Sequence, residues 1–123
     1  MKSVIFTITI AVIALQVSVG SAKAQQLSCD VQRKELCQIN IPCRKIDNTM
    51  VLKIDFERSR YSRCENNKCQ SYEVAISNSG QFVNFSGGYH GLLAKLDTLS
   101  DELLEVATLG LNAFITFAKC KKS

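Results

Sequence analysis

From residue 49 onward, apolar and polar residues alternate along the chain. Met50, Leu52, Ile54 and Phe56 are interleaved with Val51, Lys53 and Asp55, a period of two that predicts a half-buried strand. Residues 70–77 alternate likewise, with Tyr72, Val74 and Ile76 on one face. Short strands are predicted over 82–85 and 92–96. A last strand over 111–120 carries Ala113, Ile115 and Phe117 on one face and Phe114, Thr116 and Ala118 on the other. The breaks carry turn chemistry: Glu65-Asn66-Asn67-Lys68, Asn78-Ser79-Gly80 and Gly87-Gly88-Tyr89-His90-Gly91 are rich in residues that tolerate left-handed backbone.

Residues 97–109 support two readings. Leu99, Leu103, Val106 and Ala107 fall at helical spacing behind a possible cap at Thr98 or Ser100. A strand over 103–108 after a turn at Ser100-Asp101-Glu102 fits as well, and the short strands on either side favour it. Upstream, 25–48 reads as an irregular, cysteine-rich segment with a short strand over 27–31. The expected fold is all-β: seven or eight short antiparallel strands in a meander, closing into a barrel or sandwich so that few edges stay open.

The first residues read differently. Met1-Lys2-Ser3 precedes an uncharged apolar run over 4–19, and Ala22-Lys23-Ala24 follows a small-residue stretch. These are the three regions of a secretory signal peptide. Cleavage is expected after Ala24, with Ala22 as second choice, leaving 25–123 as a single β domain. The competing reading is an uncleaved anchor, since 3–22 is just long enough to span a bilayer. With cleavage, no stable membrane anchor remains and the protein is periplasmic or secreted. Loss of residues 1–24 leaves 99 residues, and the 15 basic residues fall to 13 against 11 acidic ones, for a net charge of +2. So small an excess argues against nucleic-acid binding.

All six cysteines of the chain lie downstream of the cleavage point, in a compartment where disulfides persist. Cys64 and Cys69 flank a four-residue turn and are expected to pair across a hairpin. Cys120 ends the last strand, which in a barrel lies near the first, so an N-terminal partner is expected. Cys43 is the expected partner, leaving Cys29 with Cys37. The chain has no C-x-x-C, and no metal or cofactor is expected.

No catalytic constellation is visible, and the chain has one histidine, His90. The candidate binding residues are Tyr89 and His90 in the glycine-rich loop over 87–91, with Arg58 and Arg60 from the run Arg58-Ser59-Arg60-Tyr61-Ser62-Arg63. On a strand, Arg58 and Arg60 share one face, and Tyr61 and Arg63 share the other. Tyr and Arg are the side chains that most often dominate recognition surfaces.

Cys29, Cys37 and Cys43, Ile54-Asp55-Phe56, Tyr61-Ser62-Arg63-Cys64, Cys69-x-x-Tyr72, Ser79-Gly80-x-Phe82, Ala94-Lys95 and Glu105-Val106-Ala107-Thr108 together resemble small exported proteins of Gram-negative bacteria of uncharacterised function. A weaker similarity is to the periplasmic inhibitors of C-type lysozyme, small disulfide-tied β-barrels with a Ser-Gly-x-x-Tyr loop. Here Ser86-Gly87-Gly88-Tyr89 is one residue shorter, and the chain has no Trp. The resulting expectation is an exported, non-enzymatic binding or inhibitor-like module with a protein partner in the envelope. The alternative is an envelope structural or stress-related protein without a soluble ligand, and a small hydrolase ranks below both.

Overall fold

The computed structural model of the chain describes residues 26–47, 49–87 and 89–123, with Tyr89 described by its backbone alone. The expected signal peptide and its cleavage site lie outside the described residues. No helix among the described residues is long and apolar enough to cross a membrane.

Among the described residues, ten antiparallel strands form one sheet: β1 (Gln26–Gln38), β2 (Ile41–Ile46), β3 (Val51–Asp55), β4 (Arg60–Glu65), β5 (Lys68–Glu73), β6 (Ala75–Ser79), β7 (Phe82–Ser86), β8 (Leu93–Asp97), β9 (Glu102–Leu109) and β10 (Asn112–Lys122). A short 3-10 turn, Tyr89–Gly91, lies between β7 and β8. The strand order is β5-β4-β3-β1-β10-β9-β8-β7-β6, with β2 also on β1. The sheet curls until its edges nearly meet. β5 and β6 stand at opposite ends of the order yet are joined through Val74, whose N–H donates to the Ser59 carbonyl at 2.9 Å. The strand expected over 70–77 is therefore two strands meeting at a corner. Gly87 lies under this corner, where a Cβ would come within 3.3 Å of Val74 Cγ1.

The all-β barrel architecture is as expected, and residues 102–109 are strand rather than helix. The N-terminal segment departs from expectation. Residues 26–38 form the longest strand, paired along one side with β10 and along the other with β3 and then β2. The alternation is hidden there because the register shifts between Val31 and Arg33. This β-bulge inserts one residue and exchanges the inward set. Cys29 and Val31 lie on the inner side before the bulge, and Lys34, opposite the buried Thr116, lies there after it.

Disulfides join Cys29–Cys120, Cys37–Cys43 and Cys64–Cys69. The hairpin bridge is the expected one. The expected Cys43–Cys120 and Cys29–Cys37 pairs are replaced. β10 does lie beside the N-terminal strand, but its register sets Cys120 directly opposite Cys29, while the β1–β2 turn folds Cys43 back onto Cys37. Three structural disulfides fit an oxidising, exported compartment. The core groups Cys29, Leu52, Ile54, Tyr61, Phe85, Leu96 and Leu103 with small residues Ala94, Ala107 and Ala118. The Phe85 ring packs at 5.8 Å from Phe56 and 6.1 Å from Tyr61.

Candidate functional site

Among the described residues, two charged or polar side chains interrupt the core. Glu105 and Thr116 are fully buried, and they face each other across β9 and β10. Glu105 occupies an inward position between Leu103 and Ala107, where strand alternation calls for an apolar residue. A buried carboxylate is costly unless it is paired and hydrogen-bonded, and β4 supplies both partners from its inner face. Tyr61 Oη donates to Glu105 Oε2 at 2.5 Å. Arg63 Nη2 lies 3.2 Å from Glu105 Oε1, an ion pair without hydrogen-bond geometry. Burial raises the Tyr61 pKa well above the usual phenol value, and the neighbouring Glu105 charge adds to it.

The row continues onto β1, where Lys34 stands opposite Thr116. Thr116 Oγ1 has no hydrogen-bond partner among the described residues. Burial lowers the Lys34 pKa and the Arg63 charge lowers it further, while Glu105 and Glu65 pull the other way. The Lys34 ammonium lies 5.2 Å from the centre of the Phe114 ring, a cation–π contact. It makes no ion pair among the described residues.

Above this row the barrel opens into a cleft of about 530 Å3, within the range typical of small-molecule sites. Its walls come from the β4–β5 hairpin, the ends of β9 and β10, and His90. Asn66 and Asn67 form the hairpin tip with positive φ of 50° and 65°, the left-handed pair that a tight two-residue turn demands. His90 also adopts a left-handed conformation (φ 53°), and its carbonyl accepts a hydrogen bond from Thr108 Oγ1 at 3.1 Å. Lys34, Arg63 and Lys68 line the cleft against one carboxylate, Glu65, with Met50, Ala107, Leu109 and Phe114 as its apolar surface.

No protein-family model, curated protein or solved structure matches this chain.

Of the residues that the sequence suggested as one surface, His90 lines the cleft and Arg58 and Arg60 do not. Tyr89 contributes its backbone to the same 3-10 turn, and its side chain lies outside the described residues. Arg58 and Arg60 are exposed at the β3–β4 turn, at the far end of β4 from the β4–β5 tip that walls the cleft. Lys34, Arg63 and Glu105 were not among the candidates. Arg63 was legible as a face-mate of Tyr61, and Glu105 as a carboxylate on the apolar face of its strand. Lys34 was not legible, because the bulge that turns it inward leaves no sequence mark.

Proposed function

We propose that the chain is an exported binding module of the bacterial periplasm whose ligand enters the cleft at the open end of the barrel. The observation that carries this reading is the cleft itself: a concave, largely apolar surface with Lys34, Arg63 and Lys68 in its lining. Such a combination, an apolar lining with a few polar groups that fix orientation, is what small-ligand sites share. The disulfides support export, and the Ala22-Lys23-Ala24 site supports cleavage before Gln25. The likeness to small exported Gram-negative proteins agrees with this compartment. Binding without turnover is part of the proposal.

The test has two parts. Mass spectrometry of the exported protein is expected to give Gln25 as first residue; a membrane-held product retaining Met1 overturns export. A thermal-shift screen of soluble metabolites, followed by amide NMR, is expected to find at least one compound that stabilises the protein and moves the resonances of Ala107, Thr108 and Phe114. Stabilising compounds that leave those resonances unmoved, or none at all, overturn the cleft as the site.

A further inference from the structure

We propose that the cleft takes a small amphiphile with one anionic head, carboxylate or phosphate, held between Lys34 and Arg63, with its apolar body on Phe114 and Leu109. This rests on the reading of the chain as a binding module.

The head follows from the charge balance. Lys34 and Arg63 are turned toward the same partly dry space, where like charges repel more strongly than in water. Glu105 answers Arg63 through one guanidinium nitrogen. The Arg63 Nε–H is directed at the Met50 thioether sulfur at 3.4 Å, a weak acceptor that an anionic oxygen readily outcompetes. Lys34 has the Phe114 ring and no ion-pair partner among the described residues. One anion placed between the two cations relieves their repulsion and gives each a charge-assisted hydrogen bond. Thr116 Oγ1, buried beside Lys34 in the same row without a partner among the described residues, leaves further hydrogen-bonding capacity unused.

The apolar body follows from where the cleft leads. Phe114 and Leu109 line it, and Leu109 begins the β9–β10 turn with Leu111. That turn lies beside the β1–β2 turn, to which the Gln38 side chain ties it by donating to Asn112 Oδ1 at 3.3 Å. The two tips expose Leu109 (53%), Leu111 (80%), Ile39 (60%) and Ile41 (55%). Leu109 belongs both to the cleft lining and to this exposed aliphatic cluster, and so gives a path from charged interior to apolar surface that an amphiphile enters head first.

The test titrates the disulfide-oxidised protein, below micellar concentrations, with decanoate, decyl phosphate, 1-decanol and decyltrimethylammonium, read by calorimetry and amide NMR. Decanoate or decyl phosphate is expected to saturate one site, moving the amides of Lys34, Ala107, Thr108 and Phe114, with decanol and the cation at least about tenfold weaker. The stronger of the two anions identifies the head group. Lys34→Met keeps the apolar stem and removes the charge; it is expected to weaken the anion about tenfold and leave decanol unchanged. Equal affinity for decanoate and decanol, or an anion affinity indifferent to Lys34→Met, overturns the anionic head while the cleft remains a binding site. If no amphiphile moves the cleft amides but a screened metabolite does, the amphiphile class fails and the binding module stands. If nothing moves them, both readings fail together.

Discussion

The two ends of the barrel interior are built on opposite principles. Toward the β8–β9 turn, Leu96, Leu103, Phe85 and Ile54 fill the space with apolar side chains, and the buried Cys29–Cys120 bridge ties first strand to last. Toward the β9–β10 turn, the same inward positions carry Lys34, Thr116, Glu105 and Arg63, and the space between them opens into the cleft. Tyr61 stands at the boundary, its ring in the core and its hydroxyl on Glu105. Apolar filling at one end stabilises the barrel. The charged row at the other costs desolvation and is tolerable because each carboxylate oxygen of Glu105 has a partner. A fold that departs from its own inside–outside rule at one end does so where function is most expected.

The largest expected effect separates the two ends through their covalent staples. Replacing both Cys29 and Cys120 by Ala opens a loop spanning 91 residues and is expected to destabilise by about 4–5 kcal/mol in the chain-entropy view. Replacing Cys64 and Cys69, only 5 residues apart at the cleft wall, is expected to cost about 2 kcal/mol. Urea unfolding of the two double variants measures the difference, and equal losses contradict the assignment of the first pair as the global staple.

Next comes the charged row. Glu105→Gln keeps shape but leaves Arg63 without its counter-charge, at an expected cost of about 2–3 kcal/mol. Combining it with Arg63→Met is expected to recover part of that loss, since removing both charges together is far less costly than removing one. A double variant no more stable than Glu105→Gln alone contradicts the pairing.

The smallest effect lies at the boundary. Tyr61→Phe removes the hydrogen bond to Glu105 and keeps the ring, for an expected loss of about 1–2 kcal/mol near neutral pH. Its pH dependence has a definite sign. The native phenol is held protonated by burial and by Glu105, whereas in the unfolded chain it ionises near pH 10. The native state thus keeps its proton longer, and stability fully present below pH 10 falls as pH rises from there toward the higher native pKa. Absorbance titration of tyrosine is expected to show one ring that ionises only with unfolding, a step missing from Tyr61→Phe.

Much of this was legible locally. The period-two pattern, the Asn66-Asn67 turn and the paired placement of Cys64 and Cys69 depend on residues close in the chain, and the strands, the tight turn and the hairpin bridge all followed. That Tyr61 and Arg63 share one strand face was legible for the same reason, though not that this face is the inner one. Local pattern thus specified an all-β chain rich in cysteine, with one strand face that carries Tyr61 and Arg63 together. Tertiary structure alone decided the rest. Barrel closure set the register of β1 on β10, and with it the choice of Cys29 over Cys43 for Cys120. The same closure put His90 on the cleft and left Arg58 and Arg60 off it. The bulge after Val31 brought Lys34 to the inner side, into line with Thr116 and Glu105. The physical reason is one of range. Alternation and turn preference are properties of neighbouring residues, whereas register between the first and last strands is settled only when the whole sheet curls and buries its inner face.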